Sequence, residues 1–149
     1  MTAGYLVDAS VLSMLAPDRP PIPEDMAAWL ETNDERLYLS AITVAEIEQG
    51  ICKLRRLGGI ERARRLTEWL DDLQARTGDR VLAVDFHVAR AAGILSGNAV
   101  SIGRHPGFPD VAIAATAIVH QLTLLTRNGK HFASLDVDYL DPFETPPVS

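Results

Sequence analysis

Short apolar runs alternate along this chain with segments of helical periodicity, and this alternation restricts the possible folds more than any other feature. Strands are predicted at 5–7, 37–41, 80–85 and 122–126, with an edge strand at 139–143. The runs YLV, VLAV and LTLL are almost continuously apolar, which is typical of strands that are covered on both faces. The pattern therefore predicts an α/β fold with a central, mostly parallel sheet between layers of helices.

The segments between the strands are predicted to be helical. Apolar residues recur from Val44 to Leu54 at spacings of three and four, as they do on one face of a helix. Gly58 and Gly59 end this helix and the next begins at once, so the two are expected to form an antiparallel hairpin. Neither a repeat nor a linker interrupts the chain, and residues 1–149 are predicted to form one domain. The predicted helices are 8–15, 24–32, 43–57, 60–77, 86–100 and 110–122.

Composition narrows the class of protein. The hydrophobic fraction of 47% is enough for a core, and the net charge of −6 argues against coating nucleic acid or an anionic membrane with the whole surface. Cys52 is the single cysteine, so no intramolecular disulfide is possible. There is no leader pattern and no apolar stretch near the ~20 residues of a membrane span. We therefore expect a cytoplasmic protein.

Three acidic residues follow strands or open helices. Asp8 comes directly after the first strand, Glu46 lies near the start of the helix after the second, and Asp110 opens the helix before the fourth. In a parallel sheet these positions share the carboxyl edge, where ligands bind. Carboxylates gathered there would repel one another, and a hard divalent cation would resolve the repulsion. All-oxygen ligation selects Mg²⁺ or Mn²⁺ and points to phosphate chemistry.

Each acid also has a purely structural explanation. Asp8 and Asp110 have the residue type of helix N-caps, and Thr43-x-x-Glu46 has the spacing of a capping box. Ser10 and Thr126 are candidates for contacting a phosphate or a metal-bound water, with a local helix-start or strand-end hydrogen bond as the alternative. The residues alone leave both interpretations open.

At these residues the chain resembles the PIN-domain toxins of VapBC-type pairs and their FitB-like branch. LVDASVLS resembles the family's first strand and its acid, and LYLSAITVAEIEQGI resembles the Ser-x-x-Thr-x-x-Glu-Ile element. PDVAIAATAIVHQLTLLTRNGKHF resembles the family's Asp-x-x-Ile-Ala-Ala helix and Thr-Arg-Asn turn. Three elements in order, within a match from about Tyr5 to Phe143, make the resemblance specific.

The resemblance implies a three-layer α/β/α PIN fold and an endoribonuclease that hydrolyses RNA phosphodiesters with a Mg²⁺- or Mn²⁺-activated water. Asp8, Glu46 and Asp110 fall on the family's acidic positions and are implied as catalytic residues and metal ligands. A cognate antitoxin, with a DNA-binding partner, and a homodimer are implied as well, with tRNA or another structured RNA as substrate. The family's usual fourth acid is replaced here by His131, which puts a second metal position in doubt.

Basic residues in two places are candidates for RNA contacts. The first group lies in the helical hairpin, where mixed charge favours a solvated face over a binding site. The second group lies in loops near Asp110 and the Thr-Arg-Asn turn, and we expect it to be nearer the metal. With Ser10 and Thr126, the expected substrate contacts are Arg104, Arg127, Asn128, Lys130 and His131.

Two alternative functions stay open at this point. A catalytically weak or inactive PIN domain would act mainly as an antitoxin-binding dimer module, and the missing fourth acid favours it. A phosphatase-like or receiver-like phosphoryl-transfer domain would also place acids at strand ends. Against the latter, Asp8 is followed by Ala-Ser and not by a second acid.

Overall fold

The computed structural model describes residues 3–145 of the chain, and its centre is a five-stranded sheet in which every pair of neighbouring strands is parallel. The strand order is β3-β2-β1-β4-β5. This confirms the predicted α/β class. The strands are β1 (Gly4–Val7), β2 (Leu37–Ser40), β3 (Val81–Leu82), β4 (Leu122–Leu125) and β5 (Tyr139–Leu140).

Helices cover both faces of the sheet, and the side chains of β1 alternate between two cores. Leu6 packs into one core with α5, α6 and α7, whereas Tyr5 and Val7 pack into the other with α1, α2 and α4. This two-sided burial explains the apolar runs in the sequence. The helices are α1 (Ala9–Leu12), α2 (Glu24–Thr32), α3 (Ala41–Arg56), α4 (Ile60–Thr77), α5 (Phe86–Ser101), α6 (Phe108–Val119) and α7 (Gly129–Phe132).

The position of β1 fixes where a ligand can bind. The chain moves from β1 to β2 and β3 on one side, then returns to β4 and β5 on the other. The strand order therefore reverses between β1 and β4, and in open α/β sheets ligands bind outside the carboxyl ends at such a point. The register pairs Val7 with Leu125 as the last residues of the two strands. The residues that follow them, Asp8 and Thr126, come out side by side.

Several predicted boundaries of strands and helices differ from the structure. The third strand was expected over 80–85, but β3 contains Val81–Leu82 alone, because its partner β2 ends at Ser40, where α3 begins. The helices predicted to begin at 43 and 110 begin earlier, at Ala41 and Phe108.

The predicted helical hairpin is present in the structure. α3 and α4 are joined by residues 57–59, with Gly58 at a φ of 94° that favours glycine. No helix among residues 3–145 is long and apolar enough to cross a membrane. The single domain predicted over 1–149 extends beyond the described residues at both ends and stays a prediction.

Candidate active site

Asp8 lies at the carboxyl edge of the sheet, where the strand order reverses. Its backbone N–H donates to the Leu125 carbonyl at 2.9 Å, which extends the β1–β4 ladder by one residue. Its side chain is 6% exposed and accepts from the Ala9 N–H at 2.8 Å, as the N-cap of α1. The capping explanation for Asp8 is confirmed. Capping uses Oδ1 alone, so the second oxygen of the Asp8 carboxylate is available for other hydrogen bonds.

The second carboxylate oxygen of Asp8 accepts two hydroxyl groups. Oδ2 accepts hydrogen bonds from the Ser10 hydroxyl at 3.0 Å and from the Thr126 hydroxyl at 2.8 Å. A carboxylate has about four lone-pair positions, and three are occupied here. Asp8 is thus fixed in orientation while keeping capacity for one more electropositive partner.

The same hydroxyl groups hold the turn after β4. Ser10 Oγ accepts the Arg127 N–H at 2.9 Å, and Thr126 Oγ1 accepts the Asn128 N–H at 3.0 Å. The two hydroxyl oxygens are 3.3 Å apart. Ser10 and Thr126 therefore act through Asp8 and the turn, which agrees with the hydrogen-bonding alternative for both residues. Direct contact of either with a phosphate stays a prediction.

Glu46 lies one turn further along its helix than expected. Ser40 caps α3 by accepting the Ile42 N–H at 3.0 Å, and the predicted cap, Thr43, is buried inside the helix with no partner for its hydroxyl. The capping-box interpretation of Glu46 is wrong, since the box needs its Ser or Thr at the cap position.

Glu46 carries the clearest sign of an incomplete site. Its Oε1 is buried without a hydrogen-bond partner among the described residues. Burial raises the pKa of the Glu46 carboxyl, and the charges of Asp8 and Asp110 raise it further. A buried, unpaired carboxylate oxygen is costly, and each such group in a native protein calls for an explanation.

Asp110 is the third residue of α6 and does not cap it. Gly107 occupies the cap position, and no side chain caps that helix end. Burial raises the pKa of the Asp110 carboxyl, His131 lowers it, and Asp8 raises it. His131 Nδ1 lies 3.8 Å from Asp110 Oδ2. The imidazole therefore stands beside the acid cluster, where the fourth acid was expected.

The three acids share one electrostatic environment. The charges of Asp8 and Asp110 raise the pKa of Glu46, and the charge of Asp8 raises the pKa of Asp110. Within residues 3–145, no three His, Cys, Asp or Glu side chains are arranged to hold an ion as they stand. The donor set nevertheless fits Mg²⁺ or Mn²⁺, because it is all oxygen and includes the unpaired Glu46 Oε1. Their role as ligands stays a prediction.

Arg127 is fixed by residues that sequence reasoning missed. Its guanidinium lies over the Phe143 ring at 4.9 Å, and its Nη1 is 3.5 Å from Met14 Sδ. Arg19 Nη2 approaches the same sulfur at 3.7 Å. Met14 lies in the short 3-10 helix Ser13–Leu15 that follows α1, and Phe143 lies in the segment after β5. Their only sequence signal was a position next to predicted site elements.

The remaining predicted contacts are less constrained. Arg104, Asn128 and Lys130 are exposed, and no side-chain hydrogen bond or ion pair fixes them among the described residues. In the hairpin, Arg64 pairs with Glu61 and Glu68, and Arg65 pairs with Asp18 at 2.8 Å. Mutual neutralisation within the hairpin supports its interpretation as a solvated face.

Comparison with known proteins decides the family. The PIN domain matches residues 5–138. The chain belongs to the PIN-domain family. It is 32% identical over 147 residues to the VapC ribonuclease Y4jK of Sinorhizobium fredii, across 93% of this chain and 97% of the relative. It is 36% identical over 140 residues to the toxin FitB of Neisseria gonorrhoeae, with coverage of 93% and 97%. This PIN-domain protein is therefore a VapC/FitB-like member, as its motifs predict.

Solved structures agree with this family. The structure of FitAB bound to an IR36 DNA fragment has a TM-score of 0.78 at 33% identity, covering 93% of this chain and 95% of the other. Other structures that this chain resembles are described as toxin–antitoxin complexes, some of them with DNA. The phosphatase-like or receiver-like alternative is dropped, since the PIN domain accounts for nearly the whole chain.

Proposed function

We propose that this PIN-domain protein is a metal-dependent endoribonuclease toxin of a VapBC-type pair, acting on RNA in the cytoplasm. The observation that carries the proposal is the buried, unpartnered Glu46 Oε1 among three mutually repelling carboxylates at the sheet reversal. The name of the Sinorhizobium relative, a VapC ribonuclease, supports RNA as the substrate. We expect tRNA or another structured RNA.

Asp8, Glu46 and Asp110 are the residues that would hold Mg²⁺ or Mn²⁺. When bound, such an ion lowers the pKa of a water molecule and offsets charge on the phosphodiester. Asp8 is held in position by Ser10 and Thr126. Glu46 supplies the unpaired oxygen, and Asp110 stands beside His131, which we assign to phosphate contact.

The nuclease proposal is tested by Mn²⁺ calorimetry on the wild type and on Asp8→Ala, with a short RNA panel on the same samples. We expect the wild type to bind Mn²⁺ and cleave, and the variant to do neither. Glu48→Gln is the matched control, because Glu48 is an exposed carboxylate on the same helix. No Mn²⁺ binding by the wild type would contradict the proposal.

A second candidate function is an inactive module that binds its antitoxin. The observation that favours it is His131 at the place of a fourth carboxylate, 3.8 Å from Asp110. Such a module would bind Mn²⁺ weakly and cleave no RNA, with or without Asp8. The same calorimetry and RNA panel separate the two functions.

We infer that the partner is a cognate antitoxin that carries the DNA-binding element. A groove between α3, α4 and the loop after α1 is lined by apolar side chains such as Ile47, Leu54 and Trp69, and Glu46 also lines it. An antitoxin segment in this groove would cover the acid cluster. Leu54→Glu is expected to weaken the complex with the cognate antitoxin in a pull-down of purified proteins. Ile60→Glu is the control, because Ile60 is exposed on the same hairpin and does not line the groove.

We also infer a homodimer through α5. Phe86, Ile94 and Val100 are 67%, 61% and 50% exposed on one face of this helix, with Gly93 and Gly97 between them. A Cβ at either glycine would meet nothing within 4 Å, so packing within the monomer does not require glycine there. Glycine in a helix costs roughly 1 kcal/mol relative to alanine, which close approach of a second chain would offset. Light scattering should show a dimer for the wild type and a monomer for Ile94→Asp.

A further inference from the structure

Two arginines meet at one sulfur atom beside the candidate active site. Arg127 Nη1 and Arg19 Nη2 lie 3.5 Å and 3.7 Å from Met14 Sδ. Arg19 is held further by Nε, which donates to the Ser13 carbonyl at 3.4 Å. A thioether is a weak acceptor that carries no negative charge, so it positions the two guanidinium groups without neutralising them.

Neither arginine has a carboxylate partner among the described residues. Arg64 and Arg65, on α4, are by contrast paired with acidic side chains. Two like charges held close together repel, and an anion between them would relieve that repulsion. In a chain of net charge −6, an uncompensated pair of cations marks a specific anion site more clearly than a general basic surface.

The arginine pair adjoins the acid cluster through direct hydrogen bonds. The Arg127 N–H donates to Ser10 Oγ, which donates to Asp8. Arg19 lines the groove that Glu46 also lines. The backbone of Arg127 is therefore one hydroxyl group away from Asp8, and the Arg19 side chain shares a groove with Glu46, so the arginine pair borders the acid cluster.

Phe143 orients one member of the pair. The Arg127 guanidinium lies over its ring at 4.9 Å, which holds the planar group while leaving its N–H edges free to donate. A guanidinium edge matches two oxygens of a phosphate. The arrangement is suited to one backbone phosphate and carries no feature that reads a base.

We propose that Arg19 and Arg127 form a two-arginine clamp that binds one backbone phosphate of the RNA, next to the phosphate that is hydrolysed. The clamp rests on the proposed function, since it names a substrate contact of the same site. It draws the polyanion to the acid cluster and sets the register of the strand against Asp8, Glu46 and Asp110.

The test separates RNA binding from cleavage. A fluorescent single-stranded RNA is titrated into wild type, Arg19→Gln, Arg127→Gln and the double variant in EDTA, at several salt concentrations. Each single variant should bind about 10-fold more weakly, with the slope of log affinity against log salt reduced by roughly 0.7 for one lost phosphate contact. Because both arginines hold one phosphate, the double variant should lose less than the two single losses combined.

Arg64→Gln is the matched control, because it removes the same charge from an arginine that already has acidic partners. It should bind RNA like the wild type. With Mn²⁺ added, the clamp variants should show a raised KM, a nearly unchanged kcat and unchanged Mn²⁺ affinity. Full additivity in the double variant would overturn the shared phosphate, and clamp variants that bind RNA like Arg64→Gln would overturn the clamp.

Two further outcomes distinguish the proposals from each other. Arginine-dependent RNA binding in EDTA without any cleavage in Mn²⁺ would keep the clamp and reject the nuclease. Arginine variants with unchanged RNA binding, but with weakened binding of a hexaglutamate peptide, would reject the clamp and assign the pair to an acidic protein segment.

Discussion

The two sides of the acid cluster differ in how completely their polar groups are satisfied. On the β1–β4 side, Asp8 accepts three hydrogen bonds from Ala9, Ser10 and Thr126. On the helical side, Glu46 has a buried oxygen with no partner, and burial raises its pKa. The polar groups of Asp8 are satisfied by the protein itself, whereas Glu46 has an unpaired oxygen that a bound cation would stabilise.

This difference separates positioning from binding. The Asp8 side keeps its geometry without a metal, because its hydroxyl donors also hold the turn at Arg127 and Asn128. At Glu46, burial and the neighbouring carboxylates destabilise the ionised form, and a bound metal ion would relieve this unfavourable energy. Substitutions on the two sides should therefore have the same effect on cleavage and opposite effects on stability.

The largest expected effects come from Asp8→Asn and Glu46→Gln. Both should lower cleavage by ~10³-fold or more, as loss of a principal electrostatic group does. Asp8→Asn should also destabilise the metal-free protein by ~1–3 kcal/mol, because the amide has one acceptor oxygen where the carboxylate has two, so that either the Ala9 N–H or the two hydroxyl groups lose their acceptor. Glu46→Gln should stabilise it by up to ~1 kcal/mol, a half-buried charge being partly screened by solvent. RNA cleavage in Mn²⁺ measures the first effect, and urea unfolding in EDTA measures the second.

Glu48→Gln is the control for both measurements and should change neither, since Glu48 is exposed. If Glu46→Gln destabilised the protein as much as Asp8→Asn, the contrast between the two sides would be lost. If it left cleavage intact, Glu46 would not belong to the site.

Thr126→Val should have the next largest effect. The substitution keeps the shape of the side chain but removes one of the two hydroxyl donors to Asp8 Oδ2. Residues that orient metal ligands typically account for 10–100-fold in affinity or activity, and we expect a loss of ~10–100-fold. Thr116→Val is the matched control, because Thr116 is equally buried and its hydroxyl donates to the Ala112 carbonyl within α6.

Both variants are expected to lose similar stability, and only Thr126→Val should lose Mn²⁺ affinity in calorimetry. An equal loss of affinity in the two would show that general destabilisation, and not the orientation of Asp8, controls the site.

The sequence was sufficient to predict the position of Asp8 at the sheet edge, but it was insufficient to predict how Glu46 is placed in α3. The apolar runs of β1 and β4 end visibly at Asp8 and Thr126, and a parallel sheet brings such ends together. For Glu46, Thr43 was expected as the cap of α3, and Ser40, which also carries a hydroxyl group, was assigned to the second strand. Ser40 occupies the cap position because α3 begins directly at the end of β2.

The arginine pair lay beyond prediction for a different reason. Arg127 was expected near the site from the Thr-Arg-Asn turn, but Arg19 lies in a proline-rich loop with no motif. Arg127 meets Met14 from a segment 113 positions away in the chain, and no periodicity encodes that contact. Side-chain contacts between loops depend on the packed fold and not on local pattern.

The response to pH should sharpen the same contrast. Burial raises the pKa values of Glu46 and Asp110, so between their ordinary and raised values the folded state keeps protons that the unfolded state has lost. The contribution of these two groups to the free energy of unfolding in EDTA should therefore fall as pH rises through that interval.

Mn²⁺ affinity should change in the opposite direction and decrease as pH falls, by up to ~10-fold per pH unit for each carboxylate that takes a proton. Urea unfolding and calorimetry over the same pH series measure both trends. Glu46→Gln should flatten the stability profile. A profile unchanged by this variant would show that Glu46 is not the group that titrates.

His131→Asp is expected to have the smallest effect. It would place a carboxylate beside Asp110, where His131 Nδ1 now lies 3.8 Å from Oδ2 and lowers the pKa of that acid. A fourth carboxylate adds ligand charge, and affinity for hard cations rises with the charge of the ligand set. Calorimetry should show Mn²⁺ affinity increased a few-fold, with cleavage preserved or increased.

His131→Asn separates added charge from a lost imidazole, because it removes the ring without adding a carboxylate. We expect it to leave Mn²⁺ affinity nearly unchanged and to raise KM for RNA if the imidazole contacts a phosphate. A complete loss of cleavage in both variants, with Mn²⁺ still bound, would mean that the imidazole itself takes part in the reaction. In that case cleavage would depend on His131 beside Asp110 as strongly as it depends on Thr126 beside Asp8.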